Sequence, residues 1–118
     1  MAIKTYKKKA QTRGPHLMNI LEDICLFYNK SAYSVIEKSD NTSNEYVIIK
    51  RLYCYVAWKI TNAPLKDIGA LFSKDHSFVI SHRDMVEHWL KNGRTKWIDE
   101  WLDWLKWTTL WGAYEKIR

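Results

Sequence analysis

Leu65-Lys66-Asp67-Ile68-Gly69-Ala70-Leu71-Phe72-Ser73-Lys74-Asp75-His76-Ser77-Phe78-Val79-Ile80-Ser81-His82-Arg83-Asp84-Met85-Val86 decides how the chain is read. Leu65, Ile68, Leu71 and Phe72 recur at the spacing of a short amphipathic helix. Ser73-Lys74-Asp75 then interrupts the apolar pattern with turn-prone residues. Asp75 suits the N-cap of a second helix, where its carboxylate accepts backbone N–H groups of the first turn. Val79, Ile80, Met85 and Val86 supply the buried stripe of that helix, and His76, Ser77, Ser81 and His82 fall on its other faces. The whole reads as a helix-turn-helix. Short hydrogen-bonding side chains in the first turn of the second helix, with Lys74 just ahead of it, suit a DNA major groove, whose base edges present distinct donor and acceptor patterns. Two short helices joined by a turn also serve as plain core, so geometry alone leaves both uses open.

Working outward, Thr61-Asn62-Ala63-Pro64 ends the helix upstream, and Pro64 sits where a missing N–H costs nothing. Glu45 to Ile60 is the longest uninterrupted helix of the middle region, with Val47, Leu52, Val56 and Ile60 among its core positions and Lys50 and Arg51 turned away from part of that stripe. Ser39 to Asn44 is a polar loop. Ahead of it, Ser31 or Ser34 caps a short helix holding Val35 and Ile36, and Leu17 to Asn29 forms the opening helix, with Glu22 and Asp23 on its outer side. Residues 1–16 carry Lys4, Lys7, Lys8, Lys9 and Arg13 with no acid; this basic arm is either a phosphate-contacting tail or a solvated terminus.

Downstream, the second helix continues through Leu90 and ends at Asn92-Gly93 in the manner of a glycine C-cap. Trp97, Trp101, Trp104, Trp107 or Thr108, Trp111 and Tyr114 then recur at steps of four and three, which predicts one helix of about twenty residues with an aromatic seam. Such a seam either folds back over its own core or, through Trp97, Trp101, Trp104 and Trp111, holds a second copy or a protein partner.

Length and composition bound the rest. At 118 residues the chain is one domain's worth, and the excess of 19 Lys and Arg over 13 Asp and Glu, a net charge of +6, favours polyanionic partners. Cys25 and Cys54 lie inside apolar runs, as reduced, buried thiols do. No stretch approaches the roughly 18 apolar residues of a membrane span, and there is no apolar signal-peptide core, so a soluble cytoplasmic protein without membrane contact is expected.

No catalytic constellation emerges. Gly14, Gly69, Gly93 and Gly112 are scattered, so no phosphate-binding loop and no nucleotide are expected. His76, His82 and His88 are spaced around a helix with no cysteine beside them, so neither a metal nor any other cofactor is expected. Asp75 and His76 point about 100° apart on a helix, which does not suit an acid–base pair. The chain reads as a non-enzyme.

At the quoted residues the chain resembles a known family. The pattern Ile-Gly-x-x-Phe-x-Lys-Asp-His-Ser-x-Val-Ile, from Ile68 to Ile80, is similar to the signature of the C-terminal DNA-binding domain of the bacterial replication initiator DnaA. Tyr55-Val56-Ala57-Trp58-Lys59-Ile60-Thr61-Asn62 resembles that domain's preceding helix end, and Ile24 to Ser31 and Val35 to Ser39 resemble its opening helix and turn. The resemblance spans about Leu17 to Leu90. It implies an all-α helical bundle with a DnaA-like helix-turn-helix domain at 17–90; the basic arm at 1–16 and the linker with a Trp-rich C-terminal helix at 91–118 are read from the residues and lie outside the resemblance.

It further implies sequence-specific binding of double-stranded DNA, in replication initiation or its regulation, by a stand-alone protein of phage or mobile-element type. Asp75, His76, Ser77 and Phe78 would contact bases, and Lys50, Arg51, Lys66, Lys74, Ser81 and His82 would contact phosphates. Two departures stand out. Phe78 replaces a second small hydroxyl residue, and its ring either meets a thymine methyl, marks a changed target, or turns into the core. Asp40-Asn41-Thr42-Ser43-Asn44 lacks the arginines that the family inserts into the minor groove, and the basic arm is the candidate substitute. The alternative is a protein-interaction module that keeps the fold and uses the Trp-rich helix.

Overall fold

The structure, a computed structural model, describes residues 16–38 and 43–117. The basic arm up to Pro15 and most of the expected polar loop lie outside the described residues. Every regular element described is helical: α1 (Leu17–Phe27), α2 (Ala32–Glu37), α3 (Asn44–Ile60), α4 (Leu65–Ala70), α5 (His76–Lys91), α6 (Lys96–Leu105) and α7 (Trp111–Tyr114), followed by a 3₁₀ turn at Glu115–Ile117. The chain is a small all-α bundle.

α3 is its axis. Ile48, Ile49, Leu52, Tyr53, Cys54, Tyr55, Val56 and Ala57 are all buried, so the helix is covered on more than one side. α1 packs against it, α4 and α5 pack against it, and the terminal turn carrying Ile117 also touches it. A helix that is apolar nearly all round belongs in the interior, which is why the expected single stripe of Val47, Leu52, Val56 and Ile60 understates its contacts. Cys25 and Cys54 are free and buried, and burial pushes the Cys25 thiol up to about 12.

Three helix ends share one device. The chain turns through a left-handed residue at Asn29 (φ 57°), Ser73 (φ 55°) and Gly93 (φ 75°). At each, the left-handed residue's N–H and the next one reach back to the helix: Asn29 to Leu26 and Lys30 to Cys25, Ser73 to Ala70 and Lys74 to Gly69, Gly93 to Leu90 and Arg94 to Trp89, all between 2.8 and 3.2 Å. This paired pattern satisfies the last orphan carbonyls and stops each helix. At the starts, Ser31 accepts from the Ser34 N–H at 3.0 Å, which selects Ser31 as the cap of α2.

The C-terminal region departs from expectation. α6 stops at Leu105 instead of running on to Tyr114. The Thr108 hydroxyl donates to the Leu105 carbonyl at 2.7 Å and accepts from the Leu110 N–H at 3.1 Å, taking over groups that a continuing helix would use. The break folds the seam onto α1. Trp101 and Tyr114 are fully buried and meet edge to face at 5.0 Å. The Trp101 Nε1–H donates to the Asp23 carbonyl at 3.3 Å and the Tyr114 hydroxyl donates to Asp23 Oδ2 at 2.6 Å. Asp23 is therefore half-buried, not on the outer side as its polarity suggested; burial raises its pKa, with the Tyr114 hydrogen bond opposing. Trp101, Leu105 and Tyr114 join α1, α3 and α5 in one continuous core.

Candidate nucleic-acid interface

The turn between α4 and α5 is fixed by sterics and by one hydroxyl. A Cβ on Gly69 would stand 2.8 Å from the carbonyl oxygens of both Lys74 and Asp75, so the turn passes against α4 at a distance only glycine permits. From α3, the buried Tyr53 hydroxyl donates to the Ile68 carbonyl at 2.8 Å, tying α4 to the axis. Behind the turn runs a chain of rings: Tyr53 to Phe72 at 5.6 Å, Phe72 to Phe78 at 5.6 Å, and Phe78 to His82 at 4.5 Å. Asp75 then starts α5, its Oδ1 accepting from the Ser77 and Phe78 N–H groups at 3.0 and 3.4 Å. Its cap role is direct; any base contact must use what that capping leaves.

α5 has two contrasting sides. Val79, Val86 and Trp89 are buried against the bundle, while Ser77, Ser81, Asp84, His88 and Lys91 are exposed. These five recur at alternating steps of four and three and so form one stripe along the helix. His76 is exposed beside its start, Lys74 is half-buried in the turn, and Lys66 is exposed on α4. Six of the ten residues expected to touch DNA, Lys66, Lys74, Asp75, His76, Ser77 and Ser81, thus lie at or beside this surface.

Of the other four, Lys50, Arg51 and His82 lie where α3 meets α5, and Phe78 packs beside the turn. Lys50 is only 5% exposed, a correction to its expected outward position. Arg51 is half-buried with its guanidinium 5.5 Å from the Trp89 ring. His82 is half-buried, and burial, with the charges of Arg51 and Lys50 adding to it, pushes its pKa down to about 4. It is therefore neutral at physiological pH, unsuited to attracting phosphate by charge. Phe78 is half-buried with its ring 5.6 Å from Phe72 and 4.5 Å from His82, so of its three alternatives the inward packing is the one these contacts favour. The physical reason is shared: α3 is covered on more than one side, so a long stem or a ring beside its contact with α5 is drawn inward.

Asp84 and His88, outside the expected contact set, share this exposed stripe. The available signal was the four-and-three spacing from Ser77, which continues two turns past the signature.

The seam tryptophans point elsewhere. Trp97 packs on Trp89 at 4.5 Å, Trp104 on Phe27 at 5.5 Å, and Trp111 lies under the Lys106 ammonium at 5.5 Å; only Trp107, 90% exposed, faces outward. No helix among the described residues is long and apolar enough to cross a membrane. Compared with protein families, curated proteins and solved structures, the chain finds no match.

Proposed function

We propose that this chain binds double-stranded DNA in a sequence-specific manner through α4, the turn and α5, in replication initiation or its regulation, as its resemblance to the DnaA DNA-binding domain implies. The observation that carries the reading is the polar stripe of α5. Its first turn presents His76 and Ser77 to solvent beside Lys74, while the opposite side of the helix is anchored by Val79, Val86 and Trp89. A rigidly backed helix with small donors and acceptors at its N-terminal end is the arrangement that enters a major groove. Lys66, Lys74 and Ser81 are the phosphate contacts this reading keeps. Arg51 becomes a support behind the recognition helix. The reading assigns the protein to the cytoplasm, where reduced thiols such as Cys25 and Cys54 persist, and requires no cofactor.

Selection of bound duplexes from a random pool tests the proposal, with the affinity of the winner followed against salt. A short A/T-rich motif with a steep salt slope is expected, and Lys74→Ala with His76→Ala should abolish binding while the thermal melt is unchanged. Recovery of no motif, with equal weak binding to every duplex, would contradict it. A second reading, docking of a partner protein through the C-terminal segment, is favoured by the exposure of Trp107 alone.

A further inference from the structure

The exposed stripe of α5 contains one side chain whose orientation is fixed from below. Arg83 Nε and Nη2 both donate to Asp84 Oδ1, at 3.0 and 2.9 Å. The Arg83 guanidinium lies 4.7 Å from the ring centroid of Trp58 on α3. Its side chain is 20% exposed and that of Asp84 55%, so the cation is tucked against the indole while the carboxylate is presented outward. Both Arg83 donors reach Oδ1, so Oδ2 lies outside the fork.

An exposed ion pair between neighbours on a helix contributes little to stability. Its consequence here is positional. A guanidinium stacked on an aromatic face is held in place, and a carboxylate forked to it by one oxygen has few rotamers left. A carboxylate is also an acceptor only, with no proton to donate at neutral pH.

Ser77 and Asp84 are seven residues apart on one side of α5, which is two turns and about 10.5 Å of helix rise, or roughly three base-pair steps. Ser77, Ser81 and Asp84, all exposed, hold the i, i+4 and i+7 positions by which a recognition helix reaches base edges over two turns; Ile80, at i+3, is half-buried at the margin of that side and of the core stripe. Cytosine offers an amino donor in the major groove that carboxylates accept from. A negative charge that finds no such donor there is desolvated among phosphates, so it also rejects the wrong base.

We propose that Asp84, positioned by Arg83 and Trp58, is a specificity-determining residue that accepts a hydrogen bond from a cytosine amino group about three base pairs from the contact of Ser77. This rests on the DNA-reading function proposed above. Parallel selections from a random duplex pool with the full chain, Asp84→Ala and Asp84→Asn test it, with circular dichroism confirming equal helix content. The unaltered chain should prefer cytosine at one position by about tenfold or more. Asp84→Ala should flatten that position alone, and Asp84→Asn should move it to adenine, which an amide contacts through two hydrogen bonds. An unchanged motif in both variants would overturn the proposal, as would Asp84→Ala raising affinity for every duplex equally, the mark of relieved repulsion without readout. In either case the DNA-reading function itself would stand. Failure of the unaltered chain to bind any duplex would overturn both.

Discussion

The helix-turn-helix and the tryptophan-rich C-terminal segment both carry a periodic pattern at steps of four and three, and they use it in opposite directions. In α5 the pattern of Ser77, Ser81, Asp84, His88 and Lys91 faces out; in α6 and beyond, the pattern of Trp97, Trp101, Trp104 and Tyr114 faces in. Large apolar side chains are drawn to whatever apolar surface is nearest, and here α1 supplies it. Small polar ones on an anchored helix fall by default on the side away from the core, so the stripe marks the accessible face of α5. Which groups that face offers in the first turn, and not the alignment itself, is what the proposed function rests on.

The sharpest way to break this comparison is to empty the inward seam. Trp101→Ala should cost about 3–5 kcal/mol, through lost burial and the Asp23 hydrogen bond, whereas Trp107→Ala should change stability by less than about 0.5 kcal/mol. Urea unfolding of the two variants measures the contrast. Equal small losses would mean that the seam is not core.

The outward region is better probed at its turn. Gly69→Ala must displace the Lys74 and Asp75 carbonyls, and should cost on the order of 2 kcal/mol and, on the proposed function, weaken DNA binding although no charge changes. Full stability and full binding in this variant would show that the close approach is dispensable.

A smaller effect comes from the seam between α3 and α5. The folded pKa of His82 is pushed down to about 4 by burial first and by Arg51 and Lys50 next, against about 6.5 when unfolded. Between those values the unfolded chain takes up a proton that the folded chain refuses. Stability is thus complete above about pH 6.5 and declines as pH falls toward 4, by on the order of 1–2 kcal/mol after screening at this half-buried site. His82→Gln should remove that part of the acid loss, which comparison of urea midpoints near pH 7 and pH 4.5 would detect. Identical losses in both chains would assign the acid sensitivity elsewhere.

The smallest predicted change is a gain. Ser73 pays for its left-handed conformation with a Cβ, and Ser73→Gly should stabilise by about 1 kcal/mol without altering binding. A loss of stability would place a needed contact on the serine hydroxyl.

Much of this architecture was legible because it is local. Asp75 as cap, Gly93 as stop and the interruption at Ser73 to Asp75 are decided within a few residues, by hydrogen bonds the chain makes to itself. The inward turn of Lys50 was not legible, since a lysine stem covers apolar surface or extends into water according to what packs over it. Nor was the break after Leu105: the aromatic spacing runs straight through it, and the residue that ends the helix is a threonine, common inside helices as well. Asp84 was hidden for a third reason. A carboxylate beside an arginine on a helix is ordinary, and only the indole of Trp58, brought from α3 by the fold, sets the pair in a fixed orientation.

Amide chemical-shift mapping on addition of the selected duplex tests the central contrast most directly. The account predicts perturbations concentrated from Ser73 to Asp84 and at Lys66, with Lys96 to Tyr114 left unmoved. Perturbations centred on the tryptophan segment, or none in α5, would contradict it.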